Sequence, residues 1–252
     1  MERFVADLHV HTVLSPCADY HMIPELILER ARNRGINLLG VVDHNSAENA
    51  AAMMAAAVGS GVAVLPGIEV ETKEGVHMLT LFDRVDGLMQ WQQELYRHLP
   101  PRENDERAFG VQLIVDPEGN FMGINRRLLL TAVDLSLEEV IDRSQENGGL
   151  CMPAHVDRPA NGLLSVLGLV PDGLQSPALE ISPRYSPDEA LRQFPQLSGR
   201  TLIRSSDAHT LEDIGKVTTT LFMEEASVAE LALACHGDRG RRVATAHPLC
   251  QR

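Results

Sequence analysis

The chain has 252 residues, of which 44% are hydrophobic and 23% are charged. This length and composition suit one globular domain and argue against disordered, collagen-like and coiled-coil proteins. No apolar run reaches the roughly 18–20 residues that cross a bilayer, and the start of the chain lacks the layout of a signal peptide. The net charge of −13 disfavours membranes and long duplex nucleic acid as partners, but it allows a local cationic pocket.

The cysteines indicate the cellular compartment, and the lysines limit which residues can contact an anion. The four cysteines form no CxxC pair, which predicts reduced thiols in a cytoplasmic protein; they are Cys17, Cys151, Cys235 and Cys250. Lys73 and Lys216 are the only two lysines. Any contact to a phosphate would therefore fall mainly to arginines.

Short apolar strands and helices alternate over the first 82 residues. Strands are predicted at 4–8, 38–42, 62–68 and 76–82, and helices at 24–33 and 47–58. The first helix has a proline in its first turn and Gly35 just after its end, which is the usual asymmetry of helix termini. This βαβ spacing predicts a parallel sheet, and α/β folds place their sites at the carboxyl ends of such strands.

Residues 84–135 break this rhythm. A helix at 88–99 and a polar, proline-led loop at 100–106 precede a hairpin formed by 109–115 and 120–124. The turn Asp116-Pro117-Glu118-Gly119 is a typical hairpin signal. We interpret 84–135 as an insertion that is either a lid or wall over the site or a decoration of the surface.

The alternation resumes after the insertion. Ser136, followed by two glutamates, predicts the N-cap of a helix that runs to Asn147. Further strands are predicted at 149–152, 178–181, 201–203 and 217–224, and helices at 187–194 and 228–235. The sequence has no internal repeat.

Histidines and carboxylates gather at the ends of these strands. His9 and His11 lie on one face of a strand because side chains alternate with period two. The remaining members follow other strands: His44, Glu69, His77, His155, Asp207 and His209. So many titratable groups in one layer are incompatible with an ordinary core. Mixed imidazole and carboxylate ligands favour Zn, Mn or Fe over Mg. We expect His98, His236 and His247 to be surface residues.

Five motifs resemble those of the PHP (polymerase and histidinol phosphatase) family of metal-dependent phosphoesterases, in the same order along the chain. They are DLHVHT at 7–12, VVDHN at 41–45, GIEVETKEGVH at 67–77, PAHVDR at 153–158 and SSDAHT at 205–210. The resemblance implies one domain over 1–252, with 84–135 inserted in a distorted (β/α)7 barrel. It also implies a site at the carboxyl ends of the strands that holds up to three divalent ions, among zinc, iron, manganese and magnesium.

The resemblance further implies which residues hold each ion. His9, His11, Glu69 and Asp207 correspond to the ligands of the first ion. Glu69 would bridge to a second ion held by His77 and His155. His44 and His209 would hold a third ion, together with an acidic or histidine ligand from the loop after the first strand.

That loop departs from the family pattern. Where the family has a segment like HxxxSDG, this chain has Pro16, which cannot ligate a metal. Asp19 is the nearest carboxylate and is the expected third ligand. Cys17, whose thiolate would favour zinc, and His21 remain alternatives, as do water and the absence of a third ion.

The predicted activity is hydrolysis of phosphate mono- or diesters by a metal-activated water. The expected substrate is a phosphorylated metabolite, a nucleotide or a short oligonucleotide. Arg158 and Arg184 are candidate phosphate contacts, with ordinary ion pairs as the alternative. Asp43 is expected to orient His44 or a neighbouring ligand, or else to cap its strand. Arg204 is a weaker candidate. A metal-dependent amidohydrolase and a non-catalytic metal-binding regulatory domain are the competing functions, and the oligomeric state stays open.

Overall fold

The computed structural model describes residues 1–244, so that His247 and Cys250 lie outside the described part of the chain. The strands are β1 Glu2–Val10, β2 Leu38–His44, β3 Ala63–Glu71, β4 His77–Leu81, β5 Leu113–Val115, β6 Phe121–Ile124, β7 Leu150–Pro153, β8 Leu179–Ile181, β9 Leu202–Arg204, β10 Thr219–Met223 and β11 Arg242–Val243. The α-helices are α1 Pro24–Asn33, α2 Ala50–Ala57, α3 Val85–His98, α4 Glu106–Phe109, α5 Leu137–Glu146, α6 Leu163–Leu167, α7 Pro187–Gln193 and α8 Val228–His236.

The main sheet is mixed rather than parallel. Its seven strands lie in the order β11-β10-β1-β2-β3-β4-β7. The pairs β1–β2 and β2–β3 are parallel, as expected, whereas β3–β4, β4–β7 and β1–β10 are antiparallel. Only five residues, 72–76, join β3 to β4. So short a connection permits an antiparallel hairpin but no parallel crossover.

The parallel pair β8–β9 makes the sheet curl. On one side of this pair, Val156 N donates to Glu180 O at 2.8 Å, just beyond the end of β7. On the other side, Ala208 forms a parallel bridge to Val10 of β1. The pair therefore lies between strands from opposite parts of the main sheet, and the carboxyl ends of β1, β2, β3, β7 and β9 come together. The arrangement is a mixed α/β fold with a curled sheet, and a regular (β/α)7 alternation is not what the described residues form.

Helices cover the outside of the sheet and complete the core. Trp91 of α3 is fully buried against residues of β3, β4 and α5, and its indole N–H donates to Thr80 Oγ1 at 3.1 Å. The α5 helix begins with a capping box, because the side chains of Ser136 and Glu139 each accept a hydrogen bond from the other's backbone N–H. This device satisfies two N–H groups that the first turn would leave unpaired.

The segment 84–135 packs against the loops at the carboxyl ends of β1 and β2. Asn45 Nδ2, next to His44, donates to the carbonyls of Leu129 and Thr131 at 2.8 Å each. A Cβ placed on Gly110 would lie 2.6 Å from the carbonyl oxygen of Pro16. The segment thus borders the place where the strand ends meet.

Most predicted elements are present within a few residues of the expected bounds. The α1 helix spans the predicted residues, and the hairpin forms as β5 and β6 with the turn at 116–119. The short helices α4 and α6 and the two-residue strand β11 were not predicted. Among the helices of residues 1–244, none combines the length and the apolar composition that a membrane span requires.

Candidate metal centre

Glu69 lies at the middle of the site, on β3, and is 1% exposed. Its Oε1 atom is 2.8 Å from His77 Nδ1 and 3.1 Å from His155 Nε2. Its Oε2 atom is 3.0 Å from His44 Nδ1. His9 and His11 complete the surroundings, each with Nε2 at 3.4 Å from the carboxylate. One carboxylate therefore contacts five imidazoles that come from four strand ends.

The two histidines of β1 also face Asp207. The Nε2 atoms of His9 and His11 are 3.2 Å apart, and each is 3.3 Å from Asp207 Oδ1. The period-two alternation of β1 thus places both imidazoles on the inner face, as the sequence predicted. His209 lies two residues beyond Asp207, and the centroid of its ring is 4.1 Å from that of His11.

These side chains form three overlapping groups whose potential ligand atoms lie within 4.8 Å of one another. The groups are His9, His11 and Glu69; His44, Glu69 and His77; and His11, His44 and His209. His155 and Asp207 border the first two groups through the contacts given above. The structure thus brings together the eight residues to which the five motifs pointed.

Glu180 belongs to the site although the sequence did not single it out. This buried glutamate of β8 accepts a hydrogen bond from His9 Nδ1 at 2.9 Å and another from the backbone N–H of His155 at 3.0 Å. By binding Nδ1, it leaves His9 Nε2 directed at the centre. The sequence signal for this residue was a single glutamate inside an otherwise apolar run, ALEI at 178–181.

Asp43 is linked to His11 indirectly, through the hydroxyl group of Ser15. Its carboxylate accepts hydrogen bonds from Thr12 N, Thr12 Oγ1 and Ser15 Oγ at 2.6–2.8 Å. Ser15 Oγ is in turn 3.0 Å from His11 Nδ1 and 3.2 Å from the backbone N–H of His44. Burial raises the pKa of Asp43 although these donors lower it. Asp43 therefore lies behind the site rather than in it.

The backbone at the site contains uncommon conformations. His155 and Asp207 have positive φ angles of 28° and 52°, where residues other than glycine are rare. The loop that carries Asp207 is anchored by Asp7, which accepts hydrogen bonds from Ser206 N, Ser206 Oγ and Gly215 N. Burial raises the pKa of Asp7 to about 6 despite these donors.

The structure does not bring the Asp19 carboxylate to the imidazoles of His44 and His209. Asp19 Oδ1 instead accepts hydrogen bonds from the backbone and the ring of His21, at 2.8 and 2.6 Å. The side chains of Asp19 and His21 are 47% and 74% exposed.

Cys17 is exposed at the solvent-accessible mouth of the site, close enough to His209 and His44 for their imidazoles to affect its thiol. Partial loss of water raises the pKa of this thiol, but the two imidazoles outweigh that effect and lower the pKa to about 6.

The candidate arginines differ in position. The Arg158 guanidinium donates to Asp207 Oδ2 and is 41% exposed, so it reaches the centre from the solvent side. Arg184 follows β8 with an exposed side chain, and no side-chain bond of it is found within residues 1–244. Arg204 donates to the carbonyl of Pro183 and faces away from the ligands.

The donor set fits divalent cations. Within residues 1–244, His155 Nδ1 is buried without a hydrogen-bond partner, and Glu69 Oε2 accepts no hydrogen bond although His44 Nδ1 lies 3.0 Å away. Buried polar atoms of this kind usually have a partner. Burial raises the pKa of Glu69, but His77, His9 and His44 outweigh it and hold the pKa well below its usual range. The site thus offers ionised carboxylate and imidazole ligands of the kind that bind Zn, Mn or Fe.

Known proteins resemble this chain at the level of sequence. Residues 197–236 match the family described as PHP-associated. The uncharacterized protein YqxK of Bacillus subtilis (strain 168) is 24% identical over 276 aligned positions. That alignment covers 96% of this chain and 64% of YqxK, so the chain spans less than two thirds of this relative.

Solved structures share the fold. The lesion-specific endonuclease Q of Pyrococcus furiosus matches with a TM-score of 0.70 at 19% identity, over 96% of this chain and 58% of that one. A two-domain protein of Bacteroides vulgatus, described as containing a predicted PHP-like metal-dependent phosphoesterase, gives 0.52 at 13% identity over 96% and 65%. An amidohydrolase of Chromobacterium violaceum gives 0.56 at 20% identity over 84% and 90%.

The sequence motifs and the fold point to the same group of proteins. The five motifs follow the PHP order and meet at one site, the C-terminal part matches a PHP-associated segment, and the fold is that of PHP-like proteins. The chain is therefore similar to the PHP family in its motifs, in residues 197–236 and in its fold.

Proposed function

We propose that the chain is a metal-dependent hydrolase of phosphate esters. The observation that carries this proposal is the position of Glu69, whose carboxylate contacts five imidazoles at the open end of the fold. A single carboxylate so surrounded is suited to bridge two cations. Divalent ions held there would lower the pKa of a bound water and neutralise phosphate oxygens as charge develops.

The protein's own residues would prepare this chemistry. Glu180 fixes the ring of His9, and Asp43 fixes that of His11 through Ser15. Arg158, at the solvent side of Asp207, is placed to donate to a phosphate oxygen of the bound substrate. We propose Arg158 as the phosphate contact and Asp43 as a positioning residue. The contacts of Arg184 favour no such role.

We further propose that Cys17, rather than Asp19, completes a third cation site with His44 and His209. The imidazoles of His44 and His209 both lower the pKa of the Cys17 thiol, whereas the Asp19 carboxylate is bound to His21. A thiolate ligand favours zinc at this position. Cys17→Ser should lower the metal content of the purified protein by one equivalent per chain, and Asp19→Asn should leave it unchanged. The reverse result would restore Asp19 as the ligand.

The central test of the proposed function is Glu69→Gln. The amide keeps the size of the side chain but loses the charge that two cations would share. We expect the variant to fold, to lose more than one metal equivalent by elemental analysis and to hydrolyse bis-p-nitrophenyl phosphate at least about 100-fold more slowly. Glu29→Gln, an exposed change on α1, is the matched control.

Two outcomes would contradict the proposal. Wild-type protein that cleaves amides but no phosphoester would be an amidohydrolase, which the shared fold permits. Protein that binds metal but turns over neither class would be a metal-binding regulatory domain.

A further inference from the structure

A cavity with a strongly positive lining lies in the segment 84–135, outside the metal centre. Its volume is about 520 Å³, and four arginines line it: Arg97, Arg102, Arg126 and Arg127. Glu103 is the only acidic side chain of the lining. In a chain with a net charge of −13, such a local excess of positive charge requires an explanation.

The four arginines are free to bind a ligand. All are exposed. The arginine ion pairs within residues 1–244 involve Arg84, Arg143, Arg158 and Arg241, and none involves the cavity. Arg127 stacks on the ring of Tyr96, with its Cζ atom 4.2 Å from the ring centroid. This contact holds the guanidinium in place while its N–H groups stay available.

The cavity is connected to the metal centre by a short, part-buried contact. Tyr96 Oη is 2.7 Å from Ser46 Oγ, and Ser46 lies two residues after His44. With two residues of backbone and the length of the tyrosine ring, these links place the Arg127 guanidinium within about 20 Å of His44.

A second connection runs along the other edge of the cavity. Asn104, next to Glu103, donates through Nδ2 to the carbonyl of Gly110 at 2.8 Å. Gly110 packs on the backbone of Pro16, and Pro16 precedes Cys17 at the mouth of the site. The cavity and the mouth are therefore held at a fixed separation by the same segment.

The cavity and the metal centre are distinct places, because none of the residues that line the cavity belongs to the groups of potential metal ligands. A nucleic-acid strand can contact both places, because it has one phosphate per roughly 3.4 Å of helix axis. A span of at most about 20 Å corresponds to no more than some six nucleotides. Two exposed phenylalanines of the same segment, Phe109 and Phe121, offer aromatic faces on which bases can stack.

We propose that the arginine cavity binds backbone phosphates of a nucleic-acid strand whose reacting phosphodiester lies at the metal centre. The inference rests on the proposed phosphoesterase function and specifies its substrate class. The arginines of the cavity attract phosphates, whereas the negative net charge of the chain repels them elsewhere on the surface.

Binding to a fluorescein-labelled oligonucleotide of about 15 nucleotides, single-stranded or in a duplex, tests this proposal. Fluorescence anisotropy is measured in EDTA, so that no cleavage occurs. The double variant Arg126→Glu/Arg127→Glu should bind at least about tenfold more weakly, and the slope of log affinity against log salt should fall by about 1.4 for two lost contacts on a single strand. Arg3→Glu, an exposed change at the opposite end of β1, should retain both values.

Circular dichroism and melting temperature establish that the double variant is folded. Equal affinity of the wild type and the folded double variant would overturn the proposal, as would absence of binding by the wild type. Inorganic tripolyphosphate that displaces the strand at an equal concentration of phosphate would identify the ligand as a small polyphosphate and would also overturn it. Cavity-dependent binding, combined with no hydrolysis of bis-p-nitrophenyl phosphate by metal-loaded wild type, would support the strand site and contradict the hydrolase.

Discussion

Glu180 illustrates how a residue outside the ligand set can control it. Its carboxylate holds His9 Nδ1 and the backbone of His155 at once. Partners of this kind fix the tautomer of a ligating histidine and raise its basicity. Glu180→Gln keeps the shape but removes the charge, and we expect the affinity for Zn²⁺ to fall about 10–100-fold. Competition with a chromophoric chelator measures this change.

The control for Glu180 is Glu138→Gln, an exposed substitution on α5. It should leave zinc affinity unchanged. If Glu180→Gln also bound zinc like the wild type, the carboxylate would serve only the packing of β8, and its melting temperature would be the property that changes.

Cys17 gives the site a reactivity that depends on pH. The imidazoles of His209 and His44 outweigh partial burial and lower the pKa of its thiol to about 6 in the metal-free protein. The thiolate is the reactive form. Alkylation of Cys17 by iodoacetamide should therefore rise with pH to a plateau above about 7, instead of rising up to about 9 as for an ordinary thiol.

The same lowered pKa predicts a contribution to the stability of the metal-free protein. It is fully present above the ordinary thiol pKa and is lost as pH falls through about 6. Cys151 and Cys235 serve as internal controls, because burial raises the pKa of each to about 12. Peptide mapping should find these two cysteines unmodified at pH 7. A rate at Cys17 that still climbed beyond pH 8 would contradict the predicted thiolate.

At the scale of single residues, the sequence predicted site geometry set by neighbouring residues and missed contacts between distant parts of the chain. His-x-His on a strand, Asp-His at a strand end and Asp-x-His each carry their geometry within a few residues. The choice between Cys17 and Asp19 depends on the path of an irregular loop, and Asp19 finds a partner two residues away. Glu180 meets His9 across 171 positions of chain, and no local pattern encodes such a pairing.

Among the elements, β1 and β2 approach each other unusually closely at Gly40. A Cβ at this position of β2 would lie 2.3 Å from the carbonyl oxygen of Leu8 on β1. Because the obstacle is backbone, Gly40→Ala must shift β1, and His9 follows Leu8 directly. We expect a loss of about 1–3 kcal/mol in the free energy of unfolding, measured by urea titration, together with weaker metal binding.

Gly123→Ala is the matched substitution within a strand. A Cβ there meets only Ile114 Cδ1 at 3.9 Å, an ordinary contact, so stability should stay within about 0.5 kcal/mol of the wild type. A similar loss in both variants would mean that the alanine affects the strands in general rather than the approach of β1 to β2.

Prediction of the elements succeeded where periodicity and end signals coincide. The α1 helix, with its proline start, and the capping box of α5 are such cases. The antiparallel direction of β4 was not predicted, because an apolar run does not reveal whether its strand is parallel. The five-residue connection 72–76 indicates the direction, because it is too short for a parallel crossover. The five-residue helix α6 is too short for a periodic signal.

For the molecule as a whole, the metal centre should be a stabilising element. The proposed ligands lie on or next to β1, β2, β3, β4 and β7 and in the loop after β9, so cations held by them would bind the folded chain far better than the unfolded one. A ligand at 1,000 times its dissociation constant adds about 4 kcal/mol, and a domain of this size gains about 2–4 °C per kcal/mol. Removal of metal by EDTA should therefore lower the melting temperature by about 10 °C.

Re-addition of Zn²⁺ or Mn²⁺ to the dialysed protein should reverse this fall, which scanning calorimetry can follow. Glu69→Gln should respond little to EDTA, since it has less metal to lose. A wild-type melting temperature that is indifferent to EDTA would mean that the cations contribute nothing to folding.

Because His155 and Asp207 have positive φ angles, selection for stability and selection for cation binding favour different residues at these two positions. Glycine relieves a strained positive φ, which costs on the order of 1–3 kcal/mol for other residues, but it has no side chain to bind a cation. A library randomised at these two positions and sorted only for survival of heating without metal should accumulate glycine. The same library sorted for catalysis should return histidine and aspartate. Natural descendants that abandoned the chemistry would be expected to drift in the first direction, so that these two positions separate active lineages from inactive ones.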